Sequence, residues 1–349
     1  MEEAIIKVHH ALTNYIPAEV RPDVTKLIEG TRKDFASPRF SEWKGHQFST
    51  PSNADKVEWQ YSNWDPTEND VLVATYAKTG TTWTTKLVKH LIYQHDKDLL
   101  KMALTVTPMQ GYLEFGIPLS FEVLEKLPWK RKIWATHLPA TLINMKRLEE
   151  NRTKIIYVVR NPKDQVVSHF HFTKSNPFFQ KDSIQQPYPK DFNEFFEAAV
   201  NGKLPSGGGL SYPDHILTWH PYLKKENVLF ITFEDLKRDT AKEVRRIANF
   251  LAVERSNDEI NQILEETSFQ NLQKKPSKLE ESIKMFRKGR LLKLQRFAWR
   301  RAIIVCIWSK GYHKLMSYVS KEVKKEDQGG NVTVLRNVKM TFFNTVLAK

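Results

Sequence analysis

TYAKTGTTW, Thr75 to Trp83, lies between two stretches of different periodicity. Before it, DVLVATY (Asp70 to Tyr76) is apolar and β-branched, as a buried strand requires. After it, TTKLVKHLIYQH (Thr84 to His95) places apolar residues at helical spacing. The stretch therefore reads as a strand, a tight turn at Gly80 and a helix start. A helix N-cap needs one hydroxyl, yet this turn carries Lys78 and the threonines Thr79, Thr81 and Thr82. So many polar groups around the unpaired N–H groups of a helix start point to an anion. The lysine precedes the glycine, unlike the usual nucleotide loop that ends Gly-Lys-Ser/Thr. A capped helix with a surface lysine fits the local pattern equally well.

Outward from this turn, strands and helices alternate. KIWATH (Lys132 to His137), KIIYVVR (Lys154 to Arg160) and NVLFITF (Asn227 to Phe233) read as strands. Helices are expected at Phe121 to Leu127, Thr141 to Asn151, Asp164 to Phe172, Asp191 to Asn201, Asp214 to Lys224, Arg238 to Leu251 and Asp258 to Thr267. Ser206 to Gly209 (SGGG) reads as a loop. Residues 1–65 are mixed, rich in aromatics and without a clear period. Short apolar strands separated by helices predict an α/β fold with a parallel sheet covered on both faces. Ligands in such sheets bind beyond the carboxyl ends of the strands. The Thr75–Trp83 turn, His137 and Arg160 all fall at such ends.

The chain has 349 residues, 40% of them hydrophobic, enough for one large α/β domain or two small ones. One cysteine, Cys306, excludes an internal disulfide framework and a Cys-based zinc site, and no carboxylate–histidine cluster suggests another metal. MEEAIIKVHH does not resemble a secretory signal. The late apolar run Ala302 to Trp308 is far short of the roughly 20 residues a spanning helix needs. These features predict a soluble, cytoplasmic protein without stable membrane insertion. The net charge is +14, but from Arg290 onward the chain has 13 Lys/Arg against 3 Asp/Glu. The body is thus nearly balanced, which argues against nucleic acid as a partner and leaves a polyanionic small molecule.

Three further motifs carry candidate chemistry. In RNPKDQVVSHFHF (Arg160 to Phe172), Arg160 ends a strand, Pro162 suits an early helix position, and Ser168 lies about two turns on. Arg160 and Ser168 can share a second anion; an ordinary strand–loop–helix also fits. In THLP (Thr136 to Pro139), His137 is a candidate general base because imidazole titrates near neutrality. FRKGR (Phe286 to Arg290) offers two cations before a glycine, or simply a solvated basic turn.

Taken together and in this order, these stretches resemble the cytosolic sulfotransferase family. TYAKTGTTW is similar to that family's TYPKSGTTW, with Ala77 for proline and Thr79 for serine. RNPKDQVVSHFHF matches a second signature, and THLP, Thr267-Ser268-Phe269 and Arg287-Lys288-Gly289 match shorter ones. Weaker similarity runs from about Trp43 to Gly289. The resemblance implies a single α/β domain and a donor co-substrate, 3′-phosphoadenosine 5′-phosphosulfate (PAPS), with no metal. It implies that Lys78, Thr79, Gly80, Thr81 and Thr82 hold the 5′-phosphosulfate and that Trp83 stacks on the adenine. Arg160 and Ser168, joined by Arg287, Lys288 and Gly289, would bind the 3′-phosphate, and Thr267 and Phe269 would line the adenine. His137 would be the base, and Lys78 would stabilise charge on the leaving oxygen. The implied acceptor is a small molecule with a hydroxyl or amine, such as a phenol, a sterol or another alcohol.

The chain departs from the family in three places. Ala135 replaces a lysine that many relatives carry before THLP. The family's adenine-side tyrosine falls on Pro213, with Tyr212 one residue early. From Arg290 the chain shares nothing with the family's usual ending, including its dimer segment, so a homodimer is possible but unsupported. The expected organisation is an N-terminal extension (1–40), a sulfotransferase domain (41–289) and a divergent basic segment (290–349). The alternative function is a non-catalytic PAPS-binding protein inactivated by that ending. A P-loop kinase is disfavoured by the lysine-before-glycine order.

Overall fold

The structure, a computed structural model, describes residues 2–281 apart from 37–39, 50–51, 106–110, 130, 177–178, 180–187, 205–208, 275 and 277–279. Arg287, Lys288, Gly289 and the segment from Arg290 lie outside the described residues, as does most of the Ser206–Gly209 stretch.

The first 65 residues hold more regular structure than their patterning suggests. Helices α1 (Glu2–Leu12) and α2 (Arg21–Ala36) precede a hairpin of β1 (Phe40–Trp43) and β2 (His46–Ser49), then helix α3 (Ala54–Asn63). The hairpin turn is Lys44-Gly45, with φ of 48° and 74°. Two positive φ values give a turn whose twist matches the strands. Lysine is not the residue that usually announces such a turn, which is why its sequence signal is weak. Ile6, Leu12, Val24, Leu27 and Ile28 of α1 and α2 are buried in the same apolar core as the main sheet.

That sheet comprises β3 (Val71–Thr75), β4 (Ile133–Thr136), β5 (Lys154–Val159) and β6 (Val228–Thr232). The order is β4-β3-β5-β6 and every pair is parallel. All five residues of β3 are buried, as are Ile155 to Val158 of β5. A strand buried on both faces must be apolar throughout, and DVLVATY and KIIYVVR show that continuous run. Between β3 and β4 come α4 (Thr81–Tyr93), α5 (Lys97–Thr105) and α6 (Leu119–Glu125). Then follow α7 (Met145–Glu150), α8 (Pro162–Ser175), α9 (Phe192–Val200) and α10 (Tyr212–Trp219). After β6 come α11 (Phe233–Arg238), α12 (Thr240–Phe250), α13 (Asn257–Glu266) and α14 (Phe269–Lys274).

Three predicted helices are shortened or interrupted for local reasons. The helix expected over Thr141 to Asn151 begins only at Met145, after a 3₁₀ turn at Ala140–Leu142 and an extended Ile143, where Asn144 caps it. The helix expected over Asp214 to Lys224 gives way at His220–Tyr222 to a 3₁₀ turn containing Pro221, which cannot donate to an α-helical ladder. The helix expected over Arg238 to Leu251 is interrupted at Asp239 (φ −140°, ψ 76°). Asp239 ends α11, and its side chain then accepts from Lys242 N at 3.0 Å to cap α12.

β3 is the first strand of this sheet along the chain and lies in its interior; the chain places β4 on one side of it and β5 on the other. The crevice at that reversal, between the carboxyl ends of β3 and β5, is where open α/β sheets bind ligands. Because β3 is sealed on both faces, Leu72→Ala is expected to cost about 2–5 kcal/mol. A urea titration should show a lower midpoint with an unchanged slope.

Candidate functional site

Strand register builds the site. Ala74 pairs with Thr136, Thr75 with Val158, and Val159 with Thr232. One residue further along each strand, His137, Arg160 and Phe233 leave the sheet on the same edge. Arg160 lies beside Phe233, its guanidinium carbon 4.5 Å from the ring centroid. The three sequence-predicted strand-end features are therefore brought together.

The Thr75–Trp83 turn meets them. Lys78 (φ 68°) and Gly80 (φ 120°) both take positive φ. A lysine there costs about 1–2 kcal/mol, which its surroundings must offset. They do so through the turn's carbonyls. Thr79 Oγ1 donates to the Tyr76 carbonyl at 2.8 Å and to that of Val158 at 3.2 Å. Gln165 Nε2 donates to the Ala77 carbonyl at 2.8 Å, and Arg160 Nη1 to that of Lys78 at 3.2 Å. The acceptor atoms at positions 76 to 78 are thus tied into the protein. Gly80 is the N-cap of α4 and supplies no side-chain cap, so the capped-helix alternative does not describe this helix start. A Cβ at Gly80 would lie 2.8 Å from the Phe233 ring. Tethered carbonyls, an uncapped helix start and two nearby cations are the features that favour an anion at this turn.

Lys78 Nζ lies 3.9 Å from the Phe172 ring centroid. Gln165, Ser168, His169 and Phe172 recur at helical spacing on α8, and the outer two touch the turn. Ser168 is half-buried on that stripe. Thr81 and Thr79 are buried, and Thr82 is partly exposed at the helix start. Trp83 Nε1 donates to the Thr267 carbonyl at 3.0 Å, and its ring meets Phe233 edge-on at 5.7 Å. Phe269 stands half-buried at the start of α14. Tyr212, read as one residue early, grips Arg160: its hydroxyl accepts from Arg160 N and donates to the Arg160 carbonyl, both at 2.8 Å.

His137 joins the same cluster through Thr75. Its Nδ1 is 3.1 Å from the Thr75 carbonyl and 3.0 Å from Thr75 Oγ1, which is 2.6 Å from Thr81 Oγ1. The Thr75 carbonyl can only accept, whereas the Thr75 hydroxyl can donate or accept; with Nδ1–H donated to the carbonyl, Nε2 keeps the lone pair. Burial lowers the His137 pKa to about 4; the Thr75 bond opposes this and the Lys78 charge reinforces it. Tyr112 and Phe115 stand beside the imidazole, with ring centroids 5.0 and 6.3 Å away.

The turn containing His137 is held by residues that motif reading did not single out. Glu114 Oε1 accepts from His137 N at 2.7 Å, and its Oε2 accepts from Thr136 Oγ1 at 2.9 Å. From α10, His215 Nε2 bonds to the carbonyls of His137 (3.1 Å) and Leu138 (3.0 Å). Trp219 Nε1 donates to Leu138 O, and Thr218 Oγ1 accepts from Ala140 N. The available signals were a lone acid within GYLEFG and polar residues at i, i+3 and i+4 within DHILTW. Among the described residues, no group of His, Cys, Asp and Glu has the arrangement of a metal site.

A family model described as the sulfotransferase domain matches residues 68–302. Sulfotransferase 1B1 of the dog (Canis lupus familiaris) is 31% identical over 250 residues, covering 70% of this chain and 79% of that protein. Human sulfotransferase 1C2 is 31% identical over 243 residues, covering 66% and 78%. In three dimensions, mouse sulfotransferase SULT7A1 complexed with PAP superposes with a TM-score of 0.60 at 24% identity, covering 81% of this chain and 99% of that one. Retinol dehydratase in complex with androsterone and inactive cofactor PAP gives 0.58 at 20% identity, covering 81% and 93%. These two likenesses establish the shared fold.

Two outcomes follow from the site's physics. Gly80→Ala forces a Cβ into a positive-φ position against Phe233 and should destabilise the chain by about 1–3 kcal/mol, read by urea unfolding. Burial also lowers His9 to about 4 and His169 and His215 to about 3, from an ordinary 6.5. The unfolded chain takes up protons on these groups below about 6.5, whereas the folded chain resists. Stability should therefore be full above that pH and fall steadily toward pH ~4, seen as a falling urea midpoint.

Proposed function

This chain belongs to the sulfotransferase family, and from that premise we propose that it transfers a sulfuryl group from PAPS to the hydroxyl or amine of a small acceptor. The observation that carries the reading is the Thr75 junction: one residue touches both the base candidate His137 and Thr81 of the anion-binding turn. A general base therefore sits within a few bonds of the place where a sulfated anion would lodge.

The residues fit such a donor. Lys78 and the backbone from Thr79 to Thr82 would hold the 5′-phosphosulfate. Arg160 and Ser168 would take the 3′-phosphate, with Arg287, Lys288 and Gly289 as further contacts assigned from the motif alone. Trp83, Thr267 and Phe269 would flank the adenine, consistent with the Trp83–Thr267 hydrogen bond. The bound co-substrate supplies the sulfuryl group. His137 Nε2 receives the acceptor's proton as the acceptor oxygen or nitrogen bonds to sulfur. Lys78 stabilises negative charge on the departing oxygen.

The low pKa of His137 partly reflects the Lys78 cation. An anion seated on Lys78 offsets that charge and raises the basicity of His137 when the donor is bound. Tyr112 and Phe115 make the acceptor side of His137 aromatic, which favours a phenol, a sterol or a similarly apolar alcohol. Transfer of this kind rests on positioning and electrostatics rather than on covalent chemistry by the protein.

Calorimetric titration with 3′-phosphoadenosine 5′-phosphate (PAP) tests the donor site. Tight binding with much weaker ATP binding is expected; equal affinity for the two would refute the 3′-phosphate assignment. Arg160→Ala removes a charge-assisted contact and should weaken PAP by about 1.5–3 kcal/mol. His137→Ala should abolish turnover with PAP affinity nearly intact, and comparable loss of both would refute its role as base.

A further inference from the structure

His137 stands one residue beyond β4, where the strand ladder that fixes Val73 to Ala135 and Ala74 to Thr136 has ended. A base must nevertheless be held within a fraction of an ångström, since a misplacement of about 1 Å can cost 10²-fold in rate. Two side chains take over from the ladder. On one edge of β4, Leu113 N donates to the Ala135 carbonyl at 3.0 Å, which lays the segment around Glu114 alongside the strand. At the next step the Glu114 carboxylate, rather than a backbone carbonyl, accepts from His137 N. On the opposite end of the same residue, His215 bonds to the His137 carbonyl.

Both side chains are themselves fixed. Glu114 is buried, with Thr136 on its second oxygen. The fully buried Lys56 is its nearby counter-charge and donates to the Phe115 carbonyl. His215 Nε2 faces two carbonyls and therefore carries the proton, so Nδ1 accepts from the Tyr157 hydroxyl at 3.2 Å. Burial raises the Glu114 pKa and lowers that of Lys56, and each charge opposes the shift of the other.

We infer that Glu114 and His215 are positioning residues for sulfuryl transfer, gripping the N–H and the C=O of His137 so that its ring keeps Nδ1 on Thr75 and Nε2 available for the acceptor's proton. The inference rests on the reading of His137 as the base. Neither residue need touch donor or acceptor.

The test uses the full-length chain with Glu114→Ala and His215→Leu, and with Glu114→Gln and His215→Gln as conservative partners that keep one hydrogen bond. PAP binding is measured by calorimetry, kcat and KM with PAPS and 2-naphthol as probe acceptor, and the ring ¹⁵N shifts of His137 by NMR in the PAP complex. The expected result is PAP affinity within about twofold of the parent and kcat lowered about 10- to 100-fold with KM little changed. The glutamine variants should recover part of that loss. His137 should change from a single Nδ1–H tautomer to a mixture in the truncated variants. If a truncated variant fails to fold, the glutamine variants decide through the same shifts. Parent kcat and parent tautomer in variants that bind PAP would overturn the clamp, as would a rate loss matched by lost PAP affinity. The NMR arm decides even where 2-naphthol is a poor acceptor. His137→Ala separates the two readings. Parent turnover by that variant overturns both, whereas an inactive His137→Ala alongside fully active clamp variants overturns only the clamp.

Discussion

Parallel pairing sends neighbouring strands out of a sheet at the same edge, and everything at this site depends on that. β3, β4, β5 and β6 share one direction, and their register aligns Thr75 with His137 and Arg160 with Phe233, the two pairs two residues apart along the strands. Residues 62 positions apart, Thr75 and His137, are thereby placed in hydrogen-bond contact. An antiparallel β4 would deliver His137 to the far end of the sheet. The site is a consequence of strand direction first and of side-chain chemistry second.

Electrostatics then divides the labour. Lys78 and Arg160 flank a helix start that lacks a side-chain cap, while His137, His169 and His215 are kept neutral by burial. Positive charge is thus concentrated where an anion would sit, and the imidazoles around it do not add to it. The turn's strained lysine is held by donors from Arg160, one residue past β5, and from Gln165 of α8, which occupy the carbonyls of Lys78 and Ala77. A backbone with its acceptors pulled away from a ligand presents donors to it, which is what an anion requires. Here the lysine stands on the strand side of the glycine, two residues before it, with its Nζ 3.9 Å from the Phe172 ring centroid.

The sequence carried the fold class and the motif-borne part of the site. Continuous apolar runs bounded by turns identified β3 to β6, since a strand sealed on both faces has no polar positions to spare. Residues such as Lys78, Gly80, His137 and Arg160 were legible because their types are unusual at strand ends. The N-terminal elements were less legible. The α1 and α2 helices bury narrow stripes against the core, and the Lys44-Gly45 turn lacks the residues that usually mark a hairpin. Tyr212 stands one residue before the family's adenine-side tyrosine position, and in the fold its hydroxyl satisfies both backbone groups of Arg160.

By itself, then, the sequence determined the strands of the main sheet and which residues bring charge and basicity, because periodicity and residue chemistry are local properties. Only the tertiary structure decided which side chains hold those residues in place. Glu114, Gln165, Tyr212 and His215 act on backbone atoms that are 23, 88, 52 and 78 positions distant in the chain. A backbone N–H or C=O is the same at every position, so no pattern in the sequence announces which one a distant carboxylate, amide, hydroxyl or imidazole will grip. That choice is made when the strands pair and the helices close over them.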